Sequence, residues 1–251
     1  MNPRAALIMA GGKSERMRAG GCMLHKALRE VTGKNLIERN LTRLCDEGFG
    51  DIWIAVSAVE QALRQWIVGP GRDVAERRGA RLRTLLEEGP LGTIGAAARL
   101  AYEIENVLVV NVDNLTDLDF RTFFRHHAES GAAMTVAVHE QPFQLPFGQI
   151  TTTAGYLTSY VEKPCLFVRI SSGAYVLNRR AMLRIPEADR TDVPGLVRIL
   201  QESGERVACY EHHAWWIDVN DEEALKKANE HRASQSDSCC ATSIGARQVN
   251  V

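Results

Sequence analysis

Several short segments of this chain carry residue types suited to phosphate, metal and sugar. In the first, Leu7-Ile8-Met9-Ala10 runs into Gly11-Gly12-Lys13-Ser14-Glu15-Arg16-Met17. Glycines leave backbone N–H groups open to phosphate oxygens, while Lys13 and Arg16 add charge and forked donors. The spacing is neither G-x-G-x-x-G nor G-x-x-x-x-G-K-[ST], which excludes the dinucleotide fingerprint and the Walker loop. An ordinary basic turn between a strand and a helix reads the same way. In the second segment, Asp113 follows Val107-Leu108-Val109-Val110-Asn111-Val112. A carboxylate at the end of such a strand, beside a phosphate loop, is placed to hold Mg²⁺ against phosphate oxygens. Asp117 and Asp119 read instead as caps of the next helix.

Asp218 follows Trp215-Trp216-Ile217, and Asn220 and Asp221 already serve the helix beyond it. It is therefore a second acid for the same cation, although convergence of 113 and 218 is a conjecture at this level. Glu162-Lys163-Pro164 is the next candidate: proline biases Lys163 toward an extended backbone, so its ammonium is expected at a strand end. An exposed surface pair is the alternative. Lys26 closes the first loop as a further cation. Glu87-Glu88-Gly89-Pro90-Leu91-Gly92-Thr93 combines acids, glycines and a helix start, and meets a base or sugar edge or is a plain turn.

Elements that position these residues follow from hydrophobic patterning. Ala5–Ala10, Ile52–Val56, Arg81–Leu86 and Val107–Val112 read as strands, alternating with helices that place Ile37, Leu41 and Leu44, then Leu63, Trp66 and Ile67, on one face. Thr93 is expected to cap a helix carrying Ile94, Ala97, Ala98 and Ala101. Alternation of this kind implies a parallel sheet with helices on both faces, whose ligands bind outside the carboxyl ends of the strands. From residue 132 the rhythm turns antiparallel: Ala133–Glu140, Gly148–Thr153, Leu157–Val161 and Leu166–Leu177 read as strands. Helices are expected near Arg179–Ile185 and Val193–Glu202, the latter capped by Asp192. A strand at Val207–Tyr210 and a last helix, Asp221–His231, complete the order. The chain reads as one domain, 1–233, with a nucleotide half (about 1–131) and a sugar-phosphate half (about 132–233). Residues 234–251 lack periodicity and are expected to be a disordered tail.

Bulk properties narrow the classes. With 251 residues, 45% hydrophobic and 24% charged, the chain can bury a sizeable core. A formal net charge of −1 provides no basic field for nucleic acid or anionic membrane. The 7 His are scattered, and His126-His127 and His212-His213 lack metal-cage spacing. None of the 6 Cys forms C-x-x-C, and the first apolar run is too short for a signal core or a span, so free thiols in a cytoplasmic protein are expected.

In order, these segments resemble the sugar-1-phosphate nucleotidyltransferase family. The family's G-G-x-[G/S]-x-R-[L/M] is similar to Gly11–Met17, its following lysine to Lys26, and its L-G-T-x-G-A to Leu91–Ala96. The strand-end aspartate corresponds to Asp113 and E-K-P to Glu162–Pro164. N-[A/S]-G-x-Y-x-[F/L] is similar to Ser171–Leu177, and W-x-D-[I/V]-x-[T/D]-x-E to Trp216–Glu223. The resemblance implies a three-layer α/β/α sandwich with a mixed, mostly parallel sheet of the glycosyltransferase-A kind. It implies attack by a sugar or cyclitol 1-phosphate on the α-phosphorus of an NTP, GTP favoured, with release of pyrophosphate and Mg²⁺ as cofactor.

By the same resemblance, Asp113 and Asp218 hold the metal, and Arg16, Lys26 and Lys163 are catalytic. Ala10, Gly11, Gly12, Ser14, Arg16, Glu88, Gly92, Thr93 and Asn111 meet the nucleotide. Glu162, Lys163, Gly173 and Ala174 meet the sugar phosphate. Partners are small molecules, with no nucleic acid or membrane, and a homodimer left open. One departure stands beside the metal: where the family carries glycine, this chain has Val112, whose side chain is expected to narrow that space. Competing readings are a molybdopterin- or cobinamide-type guanylyltransferase, to which Ala10–Met17 is also similar, and a non-catalytic nucleotide-sugar-binding homologue.

Overall fold

The computed structural model describes residues 4–11, 25–187 and 189–244, with side chains described as far as residue 233. Gly12, Lys13, Ser14, Arg16 and Met17 lie outside the described residues. The central sheet has seven strands in the order β12-β8-β11-β6-β1-β4-β5. These are β1 (Arg4–Met9), β4 (Phe49–Ser57), β5 (Arg81–Glu87), β6 (Asn106–Asn111), β8 (Met134–Gln144), β11 (Cys165–Asn178) and β12 (Val207–His212). β1 pairs in parallel with β4 and β6, and β5 with β4, while β12 runs parallel to β8. Only β11 opposes its neighbours, β6 and β8. The sheet is thus mixed and mostly parallel.

Burial on both faces explains the near-continuous apolar runs. Along β1, Ala6, Ile8 and Ala10 join one core cluster, and Ala5, Leu7 and Met9 the other. β6 alternates in step, with Leu108 and Val110 on the first face and Val107 and Val109 on the second. Two amphipathic helices, α1 (Leu36–Asp46) and α4 (Phe120–Ser130), cover the first face through Ile37, Leu41, Leu44, Phe120 and Phe123. Each starts at a side-chain cap: Asn35 accepts from the Glu38 N–H at 2.8 Å, and Asp119 from the Thr122 N–H at 2.9 Å. Asp117 does not share that role; it pairs with Arg232 at 3.0 Å. Between β4 and β5, α2 (Gln61–Trp66) passes through a wider turn at Ile67–Gly71 into α3 (Arg72–Glu76). Pro70 lies in that turn, where its missing N–H accounts for the widened winding. The helix that the pattern places over Ala58–Val68 thus starts later, at Gln61, and runs on to Glu76.

The second face is covered by a tight 3₁₀ turn, Gly95–Leu100, rather than the expected capped α-helix, and by α5 (Arg179–Met182) and α6 (Val193–Glu202). A ribbon of β2 (Glu30–Val31) and β3 (Lys34–Asn35) precedes α1. β7 (Asn114–Thr116) pairs antiparallel with β13 (Trp216–Asp218). β9 (Gln149–Thr153) and β10 (Tyr156–Val161) form a separate hairpin. A third cluster, Val31, Leu36, Leu115, Val219 and Ala228, ties the ribbon and β7–β13 to α7 (Glu222–Ile244). α7 runs past His231 through the backbone of residues 234–244, where the sequence suggested a tail; residues 245–251 lie outside the described residues. Among the described residues no helix is long and apolar enough to cross a membrane.

Candidate active site

The carboxyl ends of β1, β4, β5 and β6 open on a cavity of about 530 Å³. Gly11 after β1, Ser57 at the end of β4, Glu87 at the end of β5 and Asn111 at the end of β6 all line it. Lys26, Glu88, Gly92, Thr93 and Asp113 complete the set of expected residues there. Ala10 is buried just before Gly11, and its N–H donates to the Ala55 carbonyl at 2.9 Å. Gly11 is required by packing as well as by any phosphate, since a Cβ there would come within 1.9 Å of Glu87 Oε2.

Lys26 opens a short 3₁₀ turn, Lys26–Leu28, whose cap is the buried His25, accepting from the Ala27 N–H at 3.1 Å. That turn aims the Lys26 ammonium at Asp113, with Nζ 2.5 Å from Oδ2. Asp113 is 8% exposed. Its carbonyl accepts from the Val219 N–H at 2.9 Å, and Asp218 stands opposite Asn114 in the β7–β13 pair. The two acids therefore sit on neighbouring chain segments although 105 positions separate them in sequence (218 − 113). Among the described residues no group of three or more His, Cys, Asp or Glu is placed to hold a metal. Asp113 lines the cavity and Asp218 does not; one or two carboxylates are the usual protein share of a Mg²⁺ shell, which water and substrate oxygens complete.

Val112 does not narrow this space. It is fully buried in the first core cluster, with its N–H on the Met9 carbonyl at 3.2 Å and its carbonyl taking the Asn40 amide at 3.0 Å. The side chain points into the core, away from the cavity that its neighbours Asn111 and Asp113 line, which corrects the expectation from sequence.

The Glu88–Thr93 turn is held by residues near 191. Gly92 adopts φ +84°, and a Cβ there would meet the Thr191 carbonyl oxygen at 2.4 Å. Thr191 N–H donates to the Leu91 carbonyl at 2.9 Å. The capping roles are then exchanged: Thr93 N–H donates to Asp192 Oδ1 at 3.0 Å, and the Val193 N–H at the start of α6 donates to Thr93 Oγ1 at 3.1 Å. Asp192 holds the N-cap position of α6 but makes no side-chain bond to it, and the cap position of the Gly95–Leu100 turn is Ile94 rather than Thr93. This stitching brings Arg190 and Asp192 into the cavity wall, 3.3 Å apart. Sequence reasoning missed Arg190 and Ser57, and of the two acids opening the Glu87–Thr93 segment it chose Glu88 rather than Glu87. Only strand alternation, with Leu85 and Glu87 on the buried face of β5, carried a signal for Glu87.

The acceptor candidates are arranged differently. Gly173 has φ +73° where the β8–β11 register shifts, and a Cβ there would meet Asn114 Nδ2 at 1.7 Å. Asn114 donates to the Ser172 carbonyl at 3.2 Å, and the Trp216 indole N–H donates to the same oxygen at 2.8 Å. The glycine thus permits close approach of β7 and β13, and Ala174 beside it is buried in the core. Ser172 Oγ also contacts His212 Nε2 at 3.0 Å, and burial holds that imidazole down to a pKa of about 4. Beyond Ser171, β11 pairs only with β8, out to Cys165 opposite Gln144, which is roughly 20 Å of ribbon.

Glu162 and Lys163 lie at the turn beyond that ribbon, both exposed, and the structure does not bring them to the cavity. Lys163 has φ +45° rather than the expected extended backbone. Gln144 donates a side-chain hydrogen bond to the Lys163 carbonyl, and Leu145 N–H donates to Pro164 at 3.0 Å, which closes the turn. Tyr160 OH donates to Glu162 Oε2 at 3.1 Å.

Mannose-1-phosphate guanyltransferase beta-A of Xenopus laevis is 27% identical over 224 residues, 85% of this chain and 60% of the relative. Mannose-1-phosphate guanylyltransferase catalytic subunit beta of Dictyostelium discoideum is 26% identical over 221 residues, with the same coverage of 85% and 60%. The chain thus spans about 60% of the length of these curated relatives. HddC from Yersinia pseudotuberculosis, solved complexed with GMP-PN, shares the fold at a TM-score of 0.70 and 22% identity, covering 91% of this chain and 99% of that one. Residues 5–235 match the nucleotidyl transferase family, and the chain belongs to it.

Proposed function

We propose that this chain is a guanylyltransferase that joins GTP to a sugar or cyclitol 1-phosphate, giving a GDP-linked sugar and pyrophosphate. An oxygen of the acceptor phosphate attacks the α-phosphorus, and the bond from that phosphorus to the bridging oxygen of the leaving pyrophosphate breaks. A phosphate monoester has a second pKa of about 6, so the nucleophile is already anionic at neutral pH and needs no general base. The barrier lies in bringing two polyanions into line, which calls for positioning and cations. Guanylyltransferases for mannose 1-phosphate among the relatives support the choice of GTP.

The adjacency of Asp113 and Asp218 at the carboxyl end of the sheet carries this reading. These two carboxylates would hold Mg²⁺, which when bound supplies Lewis-acid neutralisation of the transferring phosphate. Lys26, now on Asp113, lies where its ammonium can turn to the reacting phosphates, and Arg190, which lines the same cavity, adds a forked donor. Gly11, with Gly12, Ser14 and Arg16 next in sequence, would meet the triphosphate. Asn111, Gly92 and Thr93 would orient the nucleoside.

For the acceptor, Lys163 would meet the sugar phosphate and Glu162 the sugar hydroxyls with the β8–β11 ribbon folded toward the cavity, Gly173 marking the bend. The exposed Phe143, Phe147, Tyr156, Tyr160 and Phe167 support such a closure, since an apolar surface of that kind is ordinarily covered. Free thiols at Cys45, Cys165 and Cys209 suit a reducing, cytoplasmic setting. The test is pyrophosphate release with Mg²⁺ across the four NTPs and a panel of hexose, heptose and cyclitol 1-phosphates. Turnover with GTP and one class of sugar or cyclitol phosphate is expected; turnover only with a pterin or cobinamide acceptor would overturn it.

A further inference from the structure

His139 on β8 and His212 on β12 stand opposite each other in the parallel pair, so both imidazoles leave the same face of the sheet. Their ring centroids lie 5.2 Å apart. His212 is 7% exposed and His139 is half-buried. The Nδ1 atom of each is buried without a hydrogen-bond partner among the described residues. For His212 the bonds around Ser172 fix the tautomer. Ser172 Oγ donates to the Ala137 carbonyl at 3.1 Å, so it accepts from His212 Nε2–H at 3.0 Å, and Nδ1 keeps a bare lone pair. Burial, with His139 and His213 alongside, holds the His212 pKa down at about 4, and burial also lowers that of His139. Both rings are therefore neutral at neutral pH, the form in which an imidazole is a ligand.

A buried polar atom with nothing bound to it costs stability, so two of them on adjoining rings point to an occupant. Ring spacing narrows what that is. With Zn–N bonds of about 2 Å, two imidazoles in a tetrahedral shell set their centroids about 5 Å apart. A water donating to both nitrogens, at about 2.8 Å from each, would spread the centroids to about 6 Å. The observed 5.2 Å matches the metal. A coordinated histidine also ordinarily holds its other ring N–H on a fixed acceptor, as His212 does on Ser172 Oγ. We infer that His139 and His212 bind Zn²⁺, or a divalent ion of the same nitrogen preference, through their Nδ1 atoms. Mg²⁺ and Ca²⁺ take oxygen ligands, so this site is separate from the acids at 113 and 218. His213 and Glu140, whose charges act on His139, are available with solvent to complete the shell, and Trp216 packs against His139 at 5.5 Å. The ion would tie the edge strand β12 to β8 beside Ser172, where the exposed ribbon begins. This holds whether or not the chain transfers nucleotides.

The test uses the full chain, stripped with chelator and kept in excess Mg²⁺ so that oxygen sites are filled. Calorimetry with Zn²⁺ is expected to show one ion per chain at a Kd of about 1 μM, and Co²⁺ in its place should give the visible absorption of a tetrahedral nitrogen site. His139→Gln and His212→Gln should each weaken Zn²⁺ binding at least about 30-fold, with circular dichroism showing that both variants fold. Should either variant unfold, wild type decides alone: in the nitrogen NMR spectrum, two of the 7 histidines should change at Nδ1 when Zn²⁺ is added. No Zn²⁺ binding by wild type would overturn the inference. So would binding that survives either substitution, or nitrogen shifts confined to other histidines.

Discussion

Around Gly92 the chain is fastened from both sides, whereas around Lys163 it stands in solvent. The cavity wall draws on segments about 100 residues apart, locked by the exchanged Thr93 and Asp192 bonds and by Gly92, where any side chain would clash with Thr191. The β8–β11 ribbon has its outer half exposed on both faces, and hairpin β9–β10 is exposed throughout. The difference teaches a division of labour. On the proposed reading, the parts that would hold a triphosphate and a metal sit on a double-sided core, while the ribbon that would meet the acceptor is largely exposed. Preorganisation serves transfer chemistry, and a loosely held ribbon admits an acceptor of variable shape.

The largest expected effect falls on the fastened side. Asp113→Asn should cut Mg²⁺-dependent pyrophosphate release by about 10²–10³-fold while leaving the circular dichroism spectrum intact. Near-normal rates would remove the metal role. On the ribbon, Lys163→Ala should raise KM for the sugar phosphate roughly 10–100-fold, as expected for losing one charge-assisted hydrogen bond, with KM for GTP nearly unmoved. An equal rise in both constants would mean that the ribbon does not belong to the acceptor.

Two glycines compare the regions by stability alone. Gly92→Ala combines a left-handed backbone with a 2.4 Å clash against Thr191 and should cost about 3 kcal/mol, lowering Tm by roughly 6–12 °C. Gly155→Ala has the same strain at φ +86° but open space, and should cost only about 1 kcal/mol. Equal melting shifts would erase the contrast.

The smallest effect concerns acid. Burial lowers His127 and His212 from 6.5 to about 4, so below 6.5 the unfolded chain binds protons that the folded one refuses. Stability should therefore fall as pH drops from about 6.5 to about 4, then stop falling on their account. Denaturant titration across that window reads it, and His212→Gln should flatten the slope.

Much of the sheet was legible because β1, β4 and β6 are buried on both faces and leave unbroken apolar runs. Asp113 followed from the rule that ligands sit at carboxyl strand ends. The Thr93–Asp192 exchange was not legible, since each residue makes a plausible cap locally and only tertiary contact reverses the pairing. Glu87 and Glu88 look alike in sequence; burial alone separates them. Lys163 misled because the proline argument concerns backbone preference, and the bonds from Gln144 and Leu145 outweigh that preference. Val112 misled for a plainer reason: its direction is set by core alternation, not by nearness to Asp113.

The pairing of the two distant acids is tested most directly by a double-mutant cycle on kcat/KM for pyrophosphate release, using Asp113→Asn, Asp218→Asn and the double variant. If both serve one Mg²⁺, the double variant should be little worse than the poorer single one, because the first change already removes what the second supports. Losses that multiply would show two independent roles and contradict the shared site.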